Sequence, residues 1–109
     1  MASEFEVVIT PKSERDLDRI APDAALREAV ELIGALGDDP YPPYARQLAE
    51  QDNIWAFDLW GGKYRVVYQA STKQQRVIIK AVGLRSEVYK NTGLYRKNQG
   101  LRLGKKSNR

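Results

Sequence analysis

The chain contains no cysteine and no histidine among its 109 residues. Without cysteine there can be no disulfides and no thiolate nucleophile or ligand, and a cytoplasmic home is the simplest expectation. Without histidine the chain lacks the one side chain that ordinarily carries protons near neutral pH. A metal site is not expected either, because neither of the usual nitrogen and sulfur ligands is present and no carboxylates cluster at ligand spacing. No cofactor is implied. No apolar run approaches the roughly 18 residues of a membrane helix, so no membrane partner is expected. The first residues run straight into Glu4-Phe5-Glu6-Val7 with no basic and then apolar leader, so no signal peptide is expected.

Acidic residues are missing from one region in particular. Residues 90–109 hold seven cations and no anion, whereas residues 1–45 carry a net charge of −6 and residues 46–89 a net charge of +3. The basic character therefore sits in the second half and above all in the tail. Such asymmetry suits contact with a polyanion; a solubilising end would have the same composition.

The remaining pattern predicts one α+β domain. Residues 4–10 alternate as a half-buried strand, with Phe5, Val7 and Ile9 on one face, and Pro11 ends it. Ser13 and Asp16 resemble a capping box opening a short helix with Leu17 and Ile20 inward. Pro22 suits the first position of a second helix, in which Leu26, Ala29, Val30, Ile33 and Leu36 form the apolar stripe. Gly37 is placed to stop that helix in a left-handed conformation. A proline-rich connector follows, then an ambiguous stretch over residues 45–53, with Leu48 tucked down. Three alternating runs then predict an antiparallel meander: Trp55, Phe57 and Leu59; Tyr64, Val66 and Tyr68; and residues 76–83. Gly61-Gly62 supplies the positive φ of a tight turn between the first two. With the helical hairpin on one sheet face, the order is β-α-α-β-β-β.

Two segments carry a resemblance. Gly62-Lys63-Tyr64-Arg65-Val66-Val67-Tyr68 and Val82-Gly83-Leu84-Arg85-Ser86-Glu87-Val88-Tyr89 are similar to the paired signatures of the RelE/ParE superfamily of toxin–antitoxin systems. Their order and the preceding hairpin fit as well, so the resemblance covers residues 4–90 or so. This divides the chain into a toxin domain at 1–90 and a basic tail at 91–109. In the RelE branch the resemblance implies a ribosome-dependent endoribonuclease on mRNA, in which a 2′-hydroxyl attacks the adjacent phosphate. A cognate antitoxin blocks it. In the ParE branch it implies a non-enzymatic inhibitor of DNA gyrase. A third alternative is a non-toxic relative that binds nucleic acid through its tail.

By that resemblance the expected catalytic residues are Arg65, a fork on phosphate; Arg85, stabilising the pentacoordinate phosphorus; and Tyr89, orienting or deprotonating the 2′-hydroxyl or stacking a base. Each also has a structural reading, as strand charges and an edge aromatic. Lys63, Lys80, Lys90, Arg96 and Lys97 are the candidate RNA-binding cations. The strand lysines usual in the RelE branch fall near Ala56 and Asp58 here, which cannot neutralise a phosphate. Asp58 offers a general base or a solvated strand carboxylate. Tyr64, Tyr68, Trp55 and Phe57 read as core, and Trp60 as exposed and open to a partner. The expected activity is that of an mRNA interferase at the ribosome, with ribosome, mRNA and antitoxin as partners.

Overall fold

A computed structural model describes residues 4–88. The elements are β1 (Glu6–Ile9), α1 (Pro11–Leu17), α2 (Asp23–Ala35), β2 (Arg46–Ala49), a 3-10 turn at Gln51–Asn53, β3 (Ile54–Leu59), β4 (Tyr64–Ser71) and β5 (Arg76–Leu84). They form one five-stranded sheet in the order β1-β5-β4-β3-β2. The α+β class and the antiparallel β3-β4-β5 meander match the sequence reading. The sheet is mixed, however, because β1 returns beside β5 in parallel. It also has a fifth strand, β2, inside the stretch that had no clear period.

The amphipathic pattern explains the packing. Phe57, Leu59, Tyr64, Val66, Tyr68, Val77, Ile79 and Val82 line one sheet face, against Leu17, Ile20, Ala25, Ala29, Ile33 and Leu36 from the helical hairpin. Val30 does not join them: it is 55% exposed, and Ala25 takes the inward position. Ala29, Ile33 and Leu36 are buried and Leu26 packs half-buried against the core, as expected, so the stripe differs from the expected one only in having Ala25 in place of Val30. Ile9, assigned to the buried face of β1, is exposed as well, since its strand lies at the sheet's edge.

The helix ends also differ from expectation. The Ser13 N–H donates to Thr10 Oγ1 at 3.1 Å, so Thr10 caps α1 and Pro11 opens that helix as well as ending the strand. Pro22 is the N-cap of α2, one position earlier than predicted. At the other end, successive N–H groups bond back three residues, Leu36 to Ile33 and Gly37 to Gly34, with no left-handed residue at Gly37. In the β3–β4 turn, positive φ values occur at Trp60 (53°), Gly61 (64°) and Gly62 (88°). The Gly62 N–H reaches the Leu59 carbonyl, so Trp60 and Gly61 are the central residues of the turn.

β5 holds a bulge that shapes everything beyond it. Tyr68 opposes Ile79 and Val67 opposes Ala81, leaving Lys80 without a cross-strand partner. The extra residue shifts the parity, so that Val77 and Ile79 but then Val82 face the helices. On the helix-free face lies a smaller cluster of Ile54, Ala56, Val67, Ala81 and Val88, with Leu48 and Ala49 packed against it. Leu48 does turn inward, but towards this second cluster.

Candidate functional site

Cross-strand register brings the polar residues of the helix-free face together. Asp58 on β3 stands opposite Arg65 on β4, and Arg65 stands opposite Gly83 on β5. One row away Arg46 on β2 opposes Ala56. Arg85 follows directly after β5, where its backbone N–H donates to the Lys63 carbonyl at 3.0 Å. That bond ties the end of β5 to the start of β4 and brings Arg85 over the same row.

The centre of this group is an ion pair. Arg65 Nε donates to Asp58 Oδ1 at 2.6 Å, and its Nη2 reaches Oδ2 at 3.4 Å. Arg85 Nη1 lies 3.7 Å from the same Oδ2. The Arg65 side chain is only 9% exposed and that of Arg85 is 57% exposed. Asp58 thus stands between one buried and one accessible guanidinium. The hydrogen bond from Arg65 holds its carboxyl below the usual range; partial burial opposes this, and the charges of Arg65, Arg46 and Arg85 add to it. A carboxylate stabilised in this way is a weak base, and it is better suited to fixing arginines than to taking a proton.

The arrangement can therefore present positive charge. Three arginines surround one aspartate, and those at 46 and 85 are exposed. A planar fork of this kind suits carboxylate or phosphate oxygens. Ala56, at one position where a lysine was looked for, is buried in the apolar cluster beside this row.

Among the expected site residues, the fold brings Arg65 and Arg85 together through Asp58. Lys63 lies at the end of the β3–β4 turn, with its Nζ 5.5 Å from the centre of the Tyr64 ring. Lys80 sits exposed on the β5 bulge, apart from the pair. Tyr89, Lys90, Arg96 and Lys97 lie outside the described residues. Sequence reasoning missed Arg46, because the stretch holding β2 shows no alternation; the residue opposes β3 only once the strands pair. It also missed the role of Asp58. The signal available was register: counted back from the turn, Asp58 opposes Arg65.

The family model of the ParE toxin of the type II toxin–antitoxin system parDE matches residues 7–89, which include both strand signatures. The chain belongs to the ParE toxin family. A search of the curated proteins gives no match. Among solved structures, this ParE-family chain is similar to the RelBE2 toxin–antitoxin complex of Mycobacterium tuberculosis, with 26% identity and a TM-score of 0.62 over 75% of this chain and 99% of that one. An arginine-substituted variant of the E. coli toxin RelE in the free state has 18% identity and a TM-score of 0.68, over 87% and 98%. The YoeB/ParE toxin from Agrobacterium tumefaciens has 17% identity and a TM-score of 0.62, over 74% and 99%. These two likenesses show the fold. In the ParE-family chain described here, the part-buried Asp58–Arg65 pair lies at the β3–β4 turn end of the helix-free face, beside the apolar cluster of Ala56, Val67 and Ala81. Among the described residues no helix is long and apolar enough to cross a membrane, and no group of potential metal ligands is present.

Proposed function

We propose that this ParE-family toxin acts by seating a target protein on the helix-free sheet face, without cutting RNA, and that a cognate antitoxin blocks it. The observation that carries this reading is the Arg65–Asp58 pair. In the RelE branch that the sequence resembles, strand lysines usually fall near positions 56 and 58. Here position 58 carries the anion that binds Arg65. The resemblance to the ParE branch makes DNA gyrase the target to test first. The similarity to the toxin chain of the M. tuberculosis complex supports an antitoxin partner.

A second reading is favoured by the exposed guanidinium of Arg85 beside Arg46. Together these could hold a backbone phosphate, and the expected mRNA cleavage at the ribosome would then use Arg85, with Asp58 and Arg65 as its support. One experiment separates the two. The protein is induced in cells, messenger RNA is mapped by primer extension, and purified protein is added to a gyrase supercoiling assay. Inhibited supercoiling with intact messenger is the expected result. Translation-dependent messenger cuts that vanish in Arg85→Ala would overturn the target-binding reading in favour of the nuclease.

A further inference from the structure

β1 pairs with β5 only from Arg76 to Ile79, so the outer edge of β5 beyond the bulge is not covered by a strand. α1 lies there instead, and a cavity of about 400 Å³ opens between α1, the end of β5 and the start of β4. Its floor is apolar and built from buried side chains, Ile20, Tyr64 and Val82. Its rim is cationic, with Lys12 and Arg19 on the α1 side and Lys63 on the turn side. The anions at the cavity are Asp16 and Glu87. Asp16 is engaged by Lys12 Nζ at 2.6 Å and by the Val82 N–H at 3.0 Å. The lining side chains, three cations and two anions, sum to a net positive charge.

We infer that this cavity is a docking site for an apolar side chain carried on an acidic segment of a partner protein. Its volume lies in the range of pockets that receive such groups, and the cations at its mouth select the flanking charge. The chain's own undescribed ends do not match it. Residues 90–109 bring seven cations and no anion, and residues 1–3 bring no acidic side chain. Electrostatics therefore direct the site to another molecule. The site borders the Asp58 row at Gly83, which stands opposite Arg65, but Asp58, Arg65 and Arg85 do not line it, so the inference does not depend on which way the toxin acts.

The test uses the full-length, isotope-labelled protein and an end-capped peptide Glu-Asp-Phe-Asp-Glu, followed by amide chemical shifts. Saturable shifts are expected at residues 12–20, 63–64 and 82–88. Affinity should fall about tenfold in Arg19→Glu and in Lys63→Glu, and stay unchanged in Lys73→Glu on the distant β4–β5 turn. The Asn-Gln-Phe-Asn-Gln peptide should bind more weakly than the acidic one. These positions are on the surface, so unchanged thermal unfolding will show that the variants are folded. Four results would each overturn the inference. One is no saturable shift, and another is shifts centred on Arg46, Arg65 and Arg85. A third is equal shifts from inorganic phosphate alone, which would mean a small-anion site. The last is a concentration-dependent dimer of the toxin abolished by Lys63→Glu, which would make a second copy the occupant.

Discussion

Asp16 Oδ2 accepts a hydrogen bond from the Val82 backbone N–H at 3.0 Å, so a helix side chain completes the strand edge that β1 leaves unpaired. Both residues are buried. An unpaired N–H there would lose water and gain nothing in return. Asp16→Ala is therefore expected to cost about 2 kcal/mol in urea unfolding, the usual penalty for stranding a buried donor. Asp16→Asn keeps an acceptor for Val82 and gives up only the partly exposed pair with Lys12, worth at most about 1 kcal/mol. Equal losses in the two variants would show that the Lys12 pair, not the edge bond, carries the effect.

The Arg65–Asp58 pair gives a pH signature. The Asp58 carboxyl titrates below its ordinary value in the folded chain, chiefly because Arg65 donates to it. On acidification the unfolded chain takes up the proton first, near about pH 4. Its contribution to stability is thus fully present above that value and is lost as the pH falls further, through the depressed folded value. Urea midpoints measured downward from about pH 6 should fall less steeply below about pH 4 in Asp58→Asn than in the parent. Parallel curves would mean that the pair does not couple to folding.

Arg65 and Arg85 separate fold from function. Arg65 is buried beside Asp58, whereas the Arg85 side chain is mostly in solvent. Arg65→Ala should destabilise the domain by about 2 kcal/mol, because it removes the buried partner of a part-buried, hydrogen-bonded charge pair. Arg85→Ala should change stability by less than about 0.5 kcal/mol. If growth inhibition by Arg85→Ala is lost while its thermal unfolding is unchanged, the face itself acts. Retention of full toxicity in Arg85→Ala would remove Arg85 from either reading of the site.

The inward face of α2 can be checked by charge. Val30 is exposed and Ala29 is fully buried one residue away. Val30→Lys should leave stability within about 0.5 kcal/mol of the parent. Ala29→Lys should abolish cooperative unfolding, since the larger side chain meets the sheet and carries a charge into the core. Comparable behaviour of the two would mean that α2 turns its other side inward.

The meander was legible because its three runs alternate cleanly, and Tyr64, Val66 and Tyr68 lie buried as their parity requires. The helical hairpin was legible in outline. One member of its buried stripe was misjudged, because hydrophobicity ranks Val30 above Ala25, while packing on a sheet accepts the smaller residue. The parallel return of β1 and the pairing of β2 are long-range choices with no local mark. Arg65 and Arg85 were visible only through the resemblance. Their common partner depended on register, and a sequence shows register only when both strands and the turn between them are placed correctly.

Asn53 carries the part of the fold that no pattern announced. Its backbone is left-handed, at φ 52°, and its amide ties four groups together. Oδ1 accepts from Gln47 Nε2 at 2.9 Å and from Trp55 Nε1 at 2.8 Å, while Nδ2 donates to Tyr41 Oη and to the Ala70 carbonyl, each at 2.9 Å. One side chain thus joins the proline connector, β2, β3 and β4. Asparagine suits the position twice over, since it tolerates the left-handed region and offers both a donor and an acceptor. Asn53→Ala should cost about 2–3 kcal/mol, from the lost bonds to part-buried partners and from the strain of a left-handed alanine. Asn53→Gly should recover about 1 kcal/mol of that, because glycine removes the strain without restoring a bond. Asn53→Asp keeps the acceptor for Trp55 but turns a carboxylate towards the Ala70 carbonyl, so it should fall below the parent as well. Chemical unfolding of the three variants, with tryptophan emission to follow Trp55, separates the contributions. If alanine and glycine prove equal, the left-handed backbone is not a constraint. If both match the parent, the amide network does not hold β2 in the sheet.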